Sequence, residues 1–208
     1  MIKIIKELED NSAKEAVRYL KNGKILAFAT DTVYGLAVDA QNFKAVENLY
    51  KIKNRNQNKA IAILLPSLER AKKIFIFDEL ANKIANNFLP GALTIVLPVK
   101  EQQDFLSKNL NINDNFLGFR IIKNDFVEKI FADFDGAIAL TSANVSGEKT
   151  ANSALEISKD FAKTNLDLLV IDSGKLESQN ASTVIKINQN NLEVLREGAI
   201  PIAKIKNS

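Results

Sequence analysis

The chain has 208 residues, 46% of them hydrophobic and 25% charged, with a net charge of +3. That size suits one sizeable core, and a single domain over 1–208 is expected. The absence of both cysteine and histidine excludes disulfides, thiol catalysis, thiolate metal sites, Ser-His triads and imidazole acid-base chemistry. So small a net charge does not by itself point to nucleic acid.

In chain order, the start Met1-Ile2-Lys3-Ile4-Ile5-Lys6 breaks its apolar residues with charge and lacks a signal peptide's core. No later run reaches the roughly 20 apolar residues of a membrane span. A cytoplasmic location away from membrane is expected. Ser12 with Glu15 three residues on is a capping-box pattern, predicting a helix through Ala16, Val17, Tyr19 and Leu20 that Asn22-Gly23 ends. The run 25–29 reads as a buried strand, Phe43, Val46, Leu49 and Tyr50 recur at helical spacing, and 61–65 is a short apolar run closed by Pro66. A helix over about 78–88, a Pro90-Gly91 turn and a strand over 93–97 follow, then a polar loop. Beyond it come a strand at 117–122, a helix near 126–131, a strand at 137–141, a helix near 154–162, and strands at 168–171, 184–187 and 192–195. Helix and strand alternate, so the class is α/β, without internal repeats or a low-complexity linker.

Ligands of α/β sheets bind beyond the carboxyl ends of strands, and three segments attract notice there. Thr30-Asp31-Thr32-Val33-Tyr34-Gly35-Leu36 sets polar side chains beside a glycine, although a capped turn would read the same way. Lys51 to Lys59 holds four cations in nine residues. If that segment is extended, Lys53 and Arg55 point to one side and suit a polyphosphate, with a guanidinium fork and an ammonium point charge; a solvated helix end is the plainer alternative. Ser142 and Asn144, in Thr141-Ser142-Ala143-Asn144-Val145-Ser146-Gly147, repeat the two-residue spacing and offer uncharged partners for phosphate oxygens, or another turn. Neither a P-loop nor a dinucleotide fingerprint is present.

Together these segments resemble the YrdC/Sua5 family of threonylcarbamoyl-AMP synthases, which share a Lys-x-Arg and a later Ser-x-Asn, here Lys53-Asn54-Arg55 and Ser142-Ala143-Asn144. The likeness extends in family order through Gly23 to Phe28, Thr30 to Leu36, Pro90-Gly91-Ala92-Leu93-Thr94, Phe119-Arg120, Ser182-Thr183 and Leu195-Arg196-Glu197-Gly198. It implies a twisted mixed sheet flanked by helices with a concave basic pocket. It also implies a reaction of L-threonine, bicarbonate and ATP with Mg²⁺ that yields threonylcarbamoyl-AMP and pyrophosphate for the t6A modification of tRNA. On that pattern Lys53, Arg55 and Lys59 contact the triphosphate, and Ser142, Asn144, Thr150 and Arg196 complete the nucleotide site. Arg120 pairs with the threonine carboxylate, while Thr32 and Ser182 line the amino-acid end. No protein nucleophile is needed, which agrees with the missing histidine and cysteine.

Family members often carry proline after the Lys59 position and at the Ala92 position, and a proline and a histidine soon after the Arg120 position. This chain instead reads Ile121-Ile122-Lys123-Asn124 there, which leaves open a paralogue acting on another carbamoyl or adenylyl substrate. The resemblance is to the short, single-domain form, with hand-off of the product to a threonylcarbamoyl transferase complex. An RNA-binding module is the alternative, but 7% aromatic residues and no tryptophan offer little stacking surface.

Overall fold

The computed structural model describes residues 1–101, 106, 110, 115–177 and 180–207. Its strands are β1 (Ile2–Lys6), β2 (Ile25–Ala29), β3 (Tyr34–Asp39), β4 (Ala62–Leu64), β5 (Leu93–Pro98), β6 (Phe116–Arg120), β7 (Ile138–Ser142), β8 (Leu168–Asp172), β9 (Thr183–Asn188) and β10 (Asn191–Arg196). The helices are α1 (Ser12–Lys21), α2 (Phe43–Ile52), α3 (Leu68–Ile74), α4 (Glu79–Phe88), α5 (Asp125–Asp133), α6 (Ala154–Asp160) and α7 (Ile202–Lys206). The polar loop expected before β6 lies largely outside the described residues. Among the described residues, no helix is long and apolar enough to cross a membrane.

All ten strands form one mixed sheet in the order β1-β8-β2-β3-β7-β4-β6-β5-β9-β10. β8 pairs in parallel with β1 and β2, β4 with β6, and β5 with β9; the remaining pairs are antiparallel. Because side chains alternate across a sheet, each strand feeds two layers. One face sends Ile63, Ile95, Leu97, Leu117, Phe119, Ala139 and Ile185 into the larger core, where they meet α2, α3, α4, α6 and α7 through residues such as Leu49, Ala71, Ile84, Ile157 and Ile205. Among the described residues, the opposite face is covered over only part of its width. There α1 and α5 pack Leu20, Phe126 and Ile130 against Leu26, Phe28, Leu64, Ile138, Leu169 and Ile171.

Local chemistry explains most element ends. Asn42, Ser67, Asp78, Asn124 and Ser153 cap five helices with their side-chain oxygens. Gly23 sits at φ +65°, and the Gly23 and Lys24 amides donate back to Leu20 and Tyr19, closing α1 as the Asn-Gly pair predicts. The capping box expected at Ser12 is absent. Ser12 is already helical, Asn11 takes the cap position without a side-chain bond, and the Ser12 hydroxyl donates to the Glu7 carbonyl instead. Glu15 turns outward to Lys3 and Arg18.

Candidate functional site

The uncovered half of the second sheet face is the floor of a cavity of about 390 Å³. Five adjacent strands supply it at every second residue: Leu140 and Ser142 from β7, Ala62 from β4, Phe116, Gly118 and Arg120 from β6, Thr94 and Val96 from β5, and Val184 from β9. The site therefore lies across the sheet face as well as in the loops at strand ends where it was expected. Small residues make this possible. A methyl group placed on Gly118 would stand 3.2 Å from Ala62 Cβ and 3.3 Å from Thr94 Cγ2, so a larger residue there would fill the floor.

One end of the cavity is built on Arg120, which is 7% exposed and has its guanidinium held from three directions. Nη2 donates to Asp31 Oδ1 at 2.5 Å, Nη1 to Thr32 Oγ1 at 2.9 Å and Nε to the Gly91 carbonyl at 3.2 Å. Burial pushes its pKa down, the Asp31 carboxylate pushes back, and the Arg196 charge lowers it further. Thr32 reaches this place through a tight β2–β3 connection. Thr30 Oγ1 donates to the Val33 carbonyl at 2.6 Å and accepts from the Thr32 and Val33 amides. Gly35 and Leu36, expected in that loop, belong to β3.

Ser182 stands at the entry to β9, its hydroxyl 2.9 Å from that of Thr94. Arg196 donates to the Ser182 carbonyl through Nε at 3.1 Å and Nη2 at 2.8 Å. The arrangement thus attaches Arg196 to Ser182, a residue expected at the amino-acid end, while Arg196 and Ser142 line the same cavity. Burial, and then the charge of Arg55, lowers the Arg196 pKa. Behind both, Thr183 Oγ1 donates to the Ile200 carbonyl and accepts from the Gly198 and Ile200 amides. A side chain on Gly198 would run into the Ala181 carbonyl, so the chain after Arg196 can lie this close only as glycine.

The basic segment departs from the expected extended form. Lys53 is the C-cap of α2 in helical conformation, and Asn54 turns left-handed at φ 49°, so the two-residue alternation of an extended segment does not apply to Lys53 and Arg55. Lys53 is 1% exposed, and its Nζ donates to the Ser142 carbonyl at 2.5 Å, the Asn144 carbonyl at 2.8 Å and Asn144 Oδ1 at 3.2 Å. Burial first, and the Arg55 charge second, lower its pKa to about 7. Arg55 leans over its own loop, donating to the Lys59 and Ala60 carbonyls at 3.3 and 2.9 Å. It borders both the main cavity and a smaller recess of about 290 Å³ shared with Lys53, Lys59, Ser142 and Asn144.

Thr32, Arg55, Arg120, Ser142, Ser182 and Arg196 thus face one space, Lys53, Lys59 and Asn144 border its annex, and Thr150 lines neither. Ala62 and Gly118 stand in no sequence motif, and Thr94 enters the sequence reading only as the end of the Pro90–Thr94 block. Their signal was a small or polar residue at alternate positions of strands otherwise rich in large apolar side chains. Asp31 was seen only as part of a polar loop, and its partner lies 89 residues away in sequence. Among the described residues, no group of three acidic side chains is placed to hold a metal ion.

A family model for Sua5, YciO and YrdC proteins, described as telomere recombination, matches residues 18–198. The chain belongs to the Sua5/YciO/YrdC family. Within it, a Methanocaldococcus jannaschii protein provisionally named threonylcarbamoyl-AMP synthase is 37% identical, with 98% of this chain and 96% of that protein covered. The threonylcarbamoyl-AMP synthase of Pyrococcus abyssi is 29% identical over 99% of this chain, which spans only 59% of that longer relative. A crystal structure of P. abyssi Sua5 complexed with L-threonine superimposes with a TM-score of 0.86 at 28% identity, covering 100% of this chain and 60% of the other.

Proposed function

We propose that this member of the family is a threonylcarbamoyl-AMP synthase of the cytoplasm, a nucleotidyltransferase that forms its adenylate from L-threonine, bicarbonate and ATP and releases pyrophosphate. The observation that carries the reading is Arg55, Arg120 and Arg196 lining one concave sheet face, with Asp31 ion-paired to Arg120. Such a surface suits substrates that bring a carboxylate and several phosphates, since fixed donors in a partly enclosed cavity hold anions more strongly than in water. The names of the relatives and the L-threonine bound to P. abyssi Sua5 support threonine as the amino acid.

The chemistry asks for placement. The threonine amine takes up carbon dioxide or bicarbonate as a carbamate, and a carbamate oxygen attacks the α-phosphorus while pyrophosphate leaves. On this reading Arg120, Thr32 and Ser182 orient the amino acid, with Arg196 held against Ser182. Arg55, Lys59 and the Ser142–Asn144 loop face the phosphates. Their contribution is alignment and charge stabilisation of the leaving group. Mg²⁺ is assigned to the incoming nucleotide, because the site's donors are mainly cationic and its Asp31 carboxylate is already committed to Arg120. The labile product then passes to a transferase that modifies tRNA.

The test is to incubate the protein with ATP, Mg²⁺, bicarbonate and each amino acid in turn, following pyrophosphate and the adenylate. Release that requires both L-threonine and bicarbonate is expected. Folded protein that releases pyrophosphate equally without either of them, or not at all, sinks the reading.

A further inference from the structure

We propose that Lys53 is a positioning residue, which shapes the phosphate end of the cavity by clamping the 142–146 loop rather than by touching phosphate itself. The proposal builds on the nucleotide reading of the site and assigns a different task to one of its two signature cations.

The clamp closes on three alternate residues. The main-chain carbonyl of Lys53 accepts from the Ser146 amide at 2.8 Å. Its ammonium donates to the Ser142 carbonyl, the Asn144 carbonyl and Asn144 Oδ1. The protonated amine has three N–H groups for three oxygens and the neutral amine only two, so in either state none remains for a phosphate while the clamp is closed. With 1% of its surface exposed, Lys53 also presents almost nothing to a ligand.

Asn144 is equally committed. Its Oδ1 accepts from Ser142 Oγ at 2.6 Å as well as from Lys53, and its Nδ2 donates to the Val145 carbonyl at 2.9 Å and the Glu148 carbonyl at 2.7 Å. Lys53 and Asn144 therefore bond inward to the loop, whereas Arg55 and Ser142 border both spaces. The fold gives the clamp a firm base. Lys53 ends α2, whose Ala45, Val46, Leu49 and Tyr50 are buried in the larger core. The position of that helix is thereby transmitted to the end of β7 and the loop after it.

Three measurements decide the matter. In the unliganded Lys53→Met variant, amide hydrogen exchange should accelerate within 142–148 while the rest of the sheet keeps its protection. In turnover, the variant should lose roughly 10- to 100-fold in kcat with little change in the ATP KM, the mark of misaligned reactants rather than a lost ligand. A large rise in ATP KM with unchanged exchange would identify a direct phosphate ligand and overturn the proposal. So would unchanged kcat and KM per folded molecule, which would leave Lys53 merely structural. The third measurement uses the native chain in case the variant fails to fold. An amine-acylating reagent should modify exposed Lys59 and spare Lys53, with or without inorganic pyrophosphate, whereas modification of Lys53 in the free protein overturns the clamp. Exchange and labelling need no turnover, so a failed synthase assay and a failed clamp are separable.

Discussion

The two halves of one sheet face were built to opposite ends. Under α1 and α5 the face presents Leu26, Phe28, Leu169 and Ile171, with the Phe28 and Phe126 rings 6.1 Å apart. A few strands away the same face presents Ala62, Thr94, Gly118 and Arg120, and a cavity takes the place of a helix layer. Burying a large apolar side chain is worth roughly 1.5–3 kcal/mol, enough in sum to offset the entropy of ordering a helix over it. Glycine, alanine and threonine offer little in return, so that half of the face is left concave. Closure and function thus follow from side-chain size at alternate positions of the strands.

The largest effect should come from breaking the closed half. Phe28→Ala removes a wholly buried ring from the sheet side of that layer, and denaturant unfolding should show a loss of about 3–5 kcal/mol. The KM values of the folded fraction should stay unchanged. Next comes filling the open half. Gly118→Val puts bulk against Ala62, Thr94 and Val96, and pyrophosphate release should fall on the order of 100-fold for a stability loss of no more than about 1–3 kcal/mol. Should Gly118→Val instead prove as unstable as Phe28→Ala and as active as the parent, the two halves do not differ as argued.

Much of the closed half was legible in the sequence, because continuous apolar runs and caps mark their own elements. The strand over Ile25–Ala29 and the helix around Phe126 follow from local pattern alone. The misses have physical causes. β1 was hidden by lysines that face solvent on a sheet edge, and β3 by its polar approach. α3, capped by Ser67, and the short α7 gave too few turns to stand out. At the site, motif order picked out Arg120, Ser182 and Arg196, but which groups meet depends on strands brought together from distant sequence. The attachment of Arg196 to Ser182 and of Lys53 to the Ser142–Asn144 loop are both tertiary facts. The extended reading of Lys53 and Arg55 failed because α2 runs through Ile52, with Lys53 as its C-cap.

A smaller effect should appear at Lys53 as pH changes. Its pKa falls from an ordinary 10.5 to about 7 through burial and then the Arg55 charge. Between those values the unfolded chain holds a proton that the folded chain has released, so this group's contribution to stability rises with pH. Below about pH 7 both states are protonated and the full penalty of burying the charge remains. Urea midpoints at pH 7, 8 and 9 should therefore climb more steeply in the parent than in Lys53→Met, by roughly 1 kcal/mol per unit. Parallel profiles would mean that Lys53 keeps an ordinary pKa in the fold.

The smallest effect tests whether the two halves are mechanically joined. After Arg120 the chain crosses from one core to the other, Ile121 packing in the larger and Ile122 in the smaller, and Asn124 then caps α5. Asn124 Oδ1 accepts from the Phe126 amide at 2.9 Å and the Val127 amide at 3.1 Å, so Asn124→Ala should cost about 1 kcal/mol. Arg120 has its own supports in Asp31, Thr32 and Gly91, none of which belongs to α5. The KM for L-threonine should accordingly remain unchanged while the unfolding midpoint drops. A KM that rises in step with the lost stability would show instead that the altered loop transmits strain from the closed half into the open one.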